Sequence, residues 1–318
     1  MILILVGSLA LSVPALSACG SDDDDGAGTG TVTVAATTGI LADITSEVAG
    51  GDAEVVQIVP ESASPHDFQP SAEDRQELVE ADLVTYSGAG LDAAVPVDEA
   101  DVPTWALAEN VPDLLPFAEE GEHAEEEEEH AEEEEHAEED EDEHGSDDPH
   151  VWMDPTRVAA ALPALADALA EVDPGNARAY RERASHYADS LEAIDREVAR
   201  RIDSIPPDDR ELVTSHDALG YFADRYGLEV VATPFPATGA EAEASAQSVA
   251  EVIDVVNDTD THALFAEETD DPEVLDSIAN ETGAVVVDSL LVEAPGSAGT
   301  YAEMLRHDGE LIASSLQG

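Results

Sequence analysis

A chain of 318 residues is long enough for two domains of ordinary size, and its 43% apolar content suits a folded protein rather than a disordered one. Its charge is extreme: 75 acidic residues face 11 basic ones, for a formal net charge of −64. That balance argues against a nucleic-acid partner, because phosphate contacts need a basic surface.

All eleven basic residues are arginine. The run 119–148 holds 20 of the acids and no base, yet without it 55 acids still face 11 bases. Acidity therefore belongs to the folded part too. The expectation is a halophilic protein, whose carboxylate surface repels itself in dilute buffer and is screened at high ionic strength.

In chain order, residues 2–13 (ILILVGSLALSV) form an apolar stretch too short to span a bilayer comfortably. No Lys or Arg precedes it. Leu16-Ser17-Ala18-Cys19 follows, then Gly20, Ser21 and four aspartates; this resembles the lipobox of bacterial lipoproteins. The resemblance implies a signal peptide over 1–18, lipid on the thiol of Cys19, and a polar tether over 19–30. Such a chain is anchored to the outer face of a membrane rather than spanning it. Cys19 is the single cysteine, so no disulfide can form within the chain.

Folded sequence begins at Thr31. Strand-like runs at 31–37, 54–59 and 82–88 alternate with helical stretches, one from Asp43 to Ala49 and one capped by Ser71 that runs through Arg75, Leu78 and Val79. Alternation of this kind predicts an α/β lobe on a mainly parallel sheet, over 31–172. Within it, 119–148 is a low-complexity insert that cannot bury apolar surface and reads as disordered. Asp154-Pro155 starts a helix carrying Val158, Leu162, Leu165 and Leu169, with a kink expected at Pro163.

Asp173-Pro174 repeats the start signal. Tyr180, Ala184, Tyr187, Leu191, Ile194, Val198 and Ile202 then recur at spacings of three and four, one apolar stripe on a linking helix over 173–205. A second α/β lobe over 206–318 is built from strands at 211–216, 229–235, 263–268 and 284–291, with helices around Tyr221, Val249–Val256 and Val274–Ile278. Two similar lobes joined by one long helix is the predicted architecture.

Three histidines stand where α/β sheets present ligands, just past a strand or before a helix. His66 lies in a proline-bracketed turn, Ser64-Pro-His-Asp-Phe-Gln-Pro70. His150 precedes a helix in Pro149-His-Val-Trp-Met-Asp-Pro155, and His216 ends the strand Leu212-Val-Thr-Ser-His216. Asp288 ends Val285-Val-Val-Asp288 in the same kind of place. Two ligands from each lobe would meet in the cleft, and three imidazoles with one carboxylate suit a four-coordinate Zn²⁺.

These neighbourhoods, with Thr214-Ser-His-Asp-Ala-Leu-Gly-Tyr-Phe-Ala-Asp-Arg-Tyr-Gly-Leu228 and Gly299-Thr-Tyr-Ala-Glu-Met304, resemble the metal-receptor family of ABC importers for zinc, manganese and iron, in consistent order over 31–318. The resemblance implies His66, His150, His216 and Asp288 as metal ligands, a long helix acting as a stiff spine, and a membrane permease as partner of a monomeric receptor. Manganese members tend to carry Glu at the third position, so His216 implies zinc; Mn²⁺ or Fe²⁺ is the alternative cargo.

Zinc members often carry an acid- and His-rich insert, so His123, His130, His136 and His144 are expected to collect metal weakly, with a solvated spacer as the plain alternative. His186, His262 and His307 are expected at the surface. Glu267 and Glu268 read as a solvated strand end, or else as supports behind the metal ligands or a lip of the site. A secreted zinc hydrolase is disfavoured: four ligands would close the shell, and neither an HExxH helix nor a GxSxG elbow is present. Some lipid-anchored members act in cell adhesion, but nothing in this chain encodes an adhesive surface.

Overall fold

The computed structural model describes residues 31–117, 147–235, 244–259, 261–268 and 273–317. The apolar leader, Cys19 and the insert histidines 123, 130, 136 and 144 lie outside the described residues.

From Thr31 onward the chain forms one compact unit holding two four-stranded parallel sheets. The first contains β1 (Val32–Ala36), β2 (Ala53–Gln57), β3 (Leu83–Tyr86) and β4 (Thr104–Ala106) in the order β2-β1-β3-β4. The second contains β5 (Glu211–Thr214), β6 (Glu229–Ala232), β7 (Ala263–Glu267) and β8 (Val285–Leu290) in the equivalent order β6-β5-β7-β8. In each sheet the chain leaves its first strand for one side and later returns to the other. That reversal opens a crevice at the carboxyl ends of the strands, where α/β proteins hold ligands.

Each helix has a readable cause. α1 (Gly39–Ala49) starts four residues earlier than the sequence suggests, capped by Thr38. α2 (Ala72–Glu80) carries the full reciprocal cap between Ser71 and Asp74; Leu78 is buried, but Val79 is 57% exposed and faces away from the core. α3 (Pro155–Val172) has Asp154 as cap and Pro155 in its first turn, and it runs through Pro163 without interruption.

The second start signal behaves differently. Pro174–Asn176 is a short 3₁₀ turn, and Asp173 accepts from Asn176 Nδ2 at 2.7 Å and Tyr180 Oη at 2.6 Å. α4 then runs Ala177–Ile202, roughly 39 Å at 1.5 Å per residue, and all seven residues of its stripe are buried. The remaining helices are α5 (Gly220–Tyr226), α6 (Ala246–Thr259), α7 (Glu273–Thr282) and α8 (Tyr301–Leu316).

The largest core cluster joins the two lobes: residues of α1, α3, α4, α5 and α8 pack with β1, β3, β5 and β7 around Trp152, Tyr180 and Tyr301. Two smaller clusters close the far faces of the sheets, one under α2 and one under α6 and α7. α4 thus contributes to packing that ties both lobes into one body. Arg225 on α5 grips Asp195 on α4 through two hydrogen bonds of 2.7 Å.

Candidate metal centre

His66, His150 and His216 arrive from three separate loops. His66 follows β2 in a turn where Ser64 Oγ accepts from the His66 amide at 3.3 Å. His150 opens a 3₁₀ turn, Val151–Met153, that leads into α3. His216 lies two residues beyond β5 and pairs in an isolated parallel bridge with Phe235. The three offer ligand atoms all within 4.8 Å of one another, the one such group of three or more among the described residues. Ring centroids are 5.3, 5.7 and 5.3 Å apart.

Which nitrogens face the centre is decided from behind. Asp148 Oδ1 sits 2.7 Å from His150 Nδ1 and accepts from the His150 amide at 2.9 Å. Glu267 Oε1 pairs with His216 Nδ1. Each carboxylate accepts a hydrogen bond from Nδ1–H, which leaves Nε2 with the lone pair for a metal. His66 Nε2 lies 3.3 Å from His150 Nε2. A tetrahedron with Zn–N bonds of about 2.0–2.1 Å has edges of about 3.3 Å, so the spacing is that of two ligands on one ion.

Burial keeps the group dry. His150 is fully buried, and the side chains of His66 and His216 are 22% and 18% exposed. Desolvation, reinforced by the neighbouring His150 and His216, pushes the His66 imidazole down from 6.5 to about 3. The imidazole is therefore neutral, the form that binds metal.

The supports are anchored in turn. The Asp148 amide donates to Leu115 O at 2.7 Å, and Tyr221 Oη donates to the Asp148 carbonyl at 3.0 Å. Gly220, at the start of α5, leaves room for this acid: a Cβ there would stand 2.7 Å from Asp148 Oδ2. Trp152 Nε1 donates to Val292 O at 2.8 Å, and so ties the His150 segment to the loop after β8. That loop carries Glu293, whose Oε1 accepts from Ser64 Oγ at 3.1 Å and lies 3.4 Å from His66 Nε2. A cavity of about 300 Å³ opens beside it, lined by Glu61, Glu267, Glu268 and Glu293 among others.

Asp288 is not gathered with the histidines in this structure; it is exposed, with its carboxylate against Ser289 Oγ at 3.4 Å. Leu290, the last residue of β8, pairs with Glu267, and Asp288 lies two residues before it. Asp148, assigned to the disordered insert, is buried and holds His150. Glu267 is only 5% exposed, so it is not a solvated strand end. Of the other histidines, His186 and His262 are exposed, whereas His307 is partly buried with Nε2 2.8 Å from Ser289 O.

A family model described as zinc-uptake complex component A periplasmic, ZnuA, matches residues 34–315. The chain belongs to this family. ZnuA-family proteins are metal-binding receptors of ABC importers and not enzymes, which removes the hydrolase reading. The manganese-binding lipoprotein MntA of Halalkalibacterium halodurans is 26% identical over 97% of this chain and 97% of its own length. The iron-binding protein YfeA of Yersinia pestis is 30% identical over 88% of this chain and 85% of its own. Among solved structures, the periplasmic zinc binding protein TroA from Treponema pallidum superposes with a TM-score of 0.77 at 26% identity, covering 90% of this chain and 99% of TroA. As a ZnuA-family member this chain is a metal receptor, and its relatives are named for manganese, iron and zinc. Among the described residues no helix is long and apolar enough to cross a membrane.

Proposed function

We propose that this protein captures Zn²⁺ outside the cytoplasmic membrane and delivers it to the permease of an ABC importer, with His66, His150 and His216 as ligands. The observation that carries the reading is the convergence of three imidazoles, two of them with Nε2 atoms 3.3 Å apart and two backed on Nδ1 by carboxylates. Neutral nitrogen donors at tetrahedral spacing suit Zn²⁺, whereas Mn²⁺ prefers oxygen donors and a higher coordination number. Fe²⁺ or Mn²⁺ is the second reading, supported by the relatives named for those metals.

Lipid on Cys19 would hold the receptor at the membrane surface, and the insert histidines 123, 130, 136 and 144 would concentrate metal near the cleft. Metal analysis of the chain purified without chelator, followed by competition among Zn²⁺, Mn²⁺ and Fe²⁺, tests the reading. One tightly held zinc, resisting excess Mn²⁺, is expected. Preferential retention of Mn²⁺ or Fe²⁺ would overturn it.

A further inference from the structure

We propose that Tyr301 is a positioning residue of the metal site, acting on His150 through Trp152; the proposal rests on the reading of His150 as a ligand. Trp152 stands two residues after His150 in the turn that His150 opens. It is buried, and its ring meets the imidazole edge-on with 5.3 Å between centroids. Asp148 fixes the tautomer of His150 from one side. Where the turn itself lies is set by Trp152, and Trp152 is held from the second lobe.

Both holds come from one stretch of chain. Val292, two residues past β8, accepts from Trp152 Nε1 at 2.8 Å. Tyr301, the first residue of α8, donates its hydroxyl to the Trp152 carbonyl. The strap 292–301 therefore leaves Trp152 and returns to it. On the way it lies against the first lobe. A Cβ added at Gly39, the first residue of α1, would stand 3.4 Å from Pro295 Cδ, and the Tyr301 amide donates to Asp43 Oδ2 at 2.9 Å. Tyr301 is fully buried, so water cannot take the place of its hydroxyl, and the Trp152 carbonyl would be left unpaired without it.

The arrangement links lobe position to the metal. The strap belongs to the second lobe and His150 to the first, so a displacement of the second lobe moves the contacts that fix the His150 turn. A membrane partner that shifted one lobe against the other would thereby loosen one nitrogen ligand without touching it.

Zinc release into excess chelator, followed by stopped flow on the full chain, tests the role together with Co²⁺ absorption spectra. Tyr301→Phe removes the hydroxyl and keeps the ring. It is expected to release zinc about tenfold faster, the low end of the effect for groups behind a metal-binding histidine, and to alter the d–d bands. Tyr180→Phe is the matched control. It loses a tyrosine hydrogen bond of 2.6 Å to Asp173, and should lower the metal-free melting temperature while release and bands stay as in wild type. Trp105 and Trp152 are the two tryptophans, and Trp105 Nε1 has no hydrogen-bond partner, so a Trp105→Phe background isolates the emission of Trp152. That emission should shift with Tyr301→Phe and not with Tyr180→Phe. Should Tyr301→Phe fail to fold, Asp43→Ala loosens the same residue at its amide and is expected to speed release in the same direction. Wild-type release and bands in a folded Tyr301→Phe, or in Asp43→Ala where Tyr301→Phe does not fold, would overturn the proposal. Equal acceleration in Tyr180→Phe would overturn it too. His150→Ala separates the two levels: tight zinc retained there removes the ligand reading itself, whereas tight zinc lost there confines any failure to Tyr301.

Discussion

Asp148 holds His150 by its rear nitrogen: Oδ1 lies 2.7 Å from Nδ1, and both side chains are buried. The contact has a consequence for the insert that precedes it. Pro116 and Asp147 pair in an antiparallel bridge, and the Asp148 amide donates to Leu115 O, so the two ends of the insert lie side by side. Excising 119–146 should therefore leave the fold and the tight site intact. Excising 119–148, or making Asp148→Ala, should weaken zinc about 10–100-fold, the usual effect of losing a carboxylate behind a metal-binding histidine. Titration calorimetry on the three variants checks this; equal affinity in both deletions would contradict the role given to Asp148.

Acid should act on the metal-free protein through His66. Its folded value is about 3 against an ordinary 6.5, because burial and then His150 and His216 disfavour the imidazolium. The unfolded chain thus binds a proton that the folded one refuses, and stability must rise with pH across that window. The contribution is complete above about 6.5 and is lost as pH falls toward about 3. The metal-free protein should lose melting temperature with acid more steeply than His66→Gln between pH 6.5 and 4. Parallel curves would refute the assignment.

Trp152 should matter for stability beyond its size. It is fully buried, and its Nε1 satisfies Val292 O at 2.8 Å. Trp152→Phe orphans that carbonyl and should cost about 1–3 kcal/mol from the hydrogen bond alone, with a further loss from the smaller ring. Urea unfolding of the metal-free protein gives the number; a change below about 0.5 kcal/mol would show that the tie is weak.

Salt should stabilise the fold. A net charge of −64 repels itself, and at 1 M salt the Debye length is about 3 Å. Melting temperature should rise from low to molar KCl, with divalent metal removed because bound metal stabilises by linkage. A flat or falling trend would argue against halophilic adaptation.

Much of this was legible in the sequence because it rests on local chemistry. The α4 stripe is a helical period written in large apolar residues, and Asp154-Pro155 is a start signal that packing did not override. The three histidines stood out because each flanks a strand or helix end. Other parts depend on what the chain cannot show locally. β4 is three residues, Thr104–Ala106, too short to display a period. Asp148 ends a long run of acids, and nothing in its local sequence announces its contacts with Leu115 and Tyr221. Where Asp288 stands along β8 is set by strand register, which comes from pairing with β7 rather than from local sequence. Glu293 sits in a loop with no periodic signal, and its approach to Ser64 and His66 comes only with the tertiary fold.

If three imidazoles select zinc, exchanging His216 for Glu must change the choice of metal. Exchanging a nitrogen donor for a carboxylate should weaken Zn²⁺ and offer Mn²⁺ an oxygen ligand. Competition between Zn²⁺ and Mn²⁺ at fixed pH and salt should show the zinc preference narrowed at least tenfold, about 1.4 kcal/mol. One fewer imidazole then competes with protons, so zinc release in acid should follow a shallower dependence on pH. An unchanged ratio of zinc to manganese affinity in His216→Glu would show that His216 does not touch the metal.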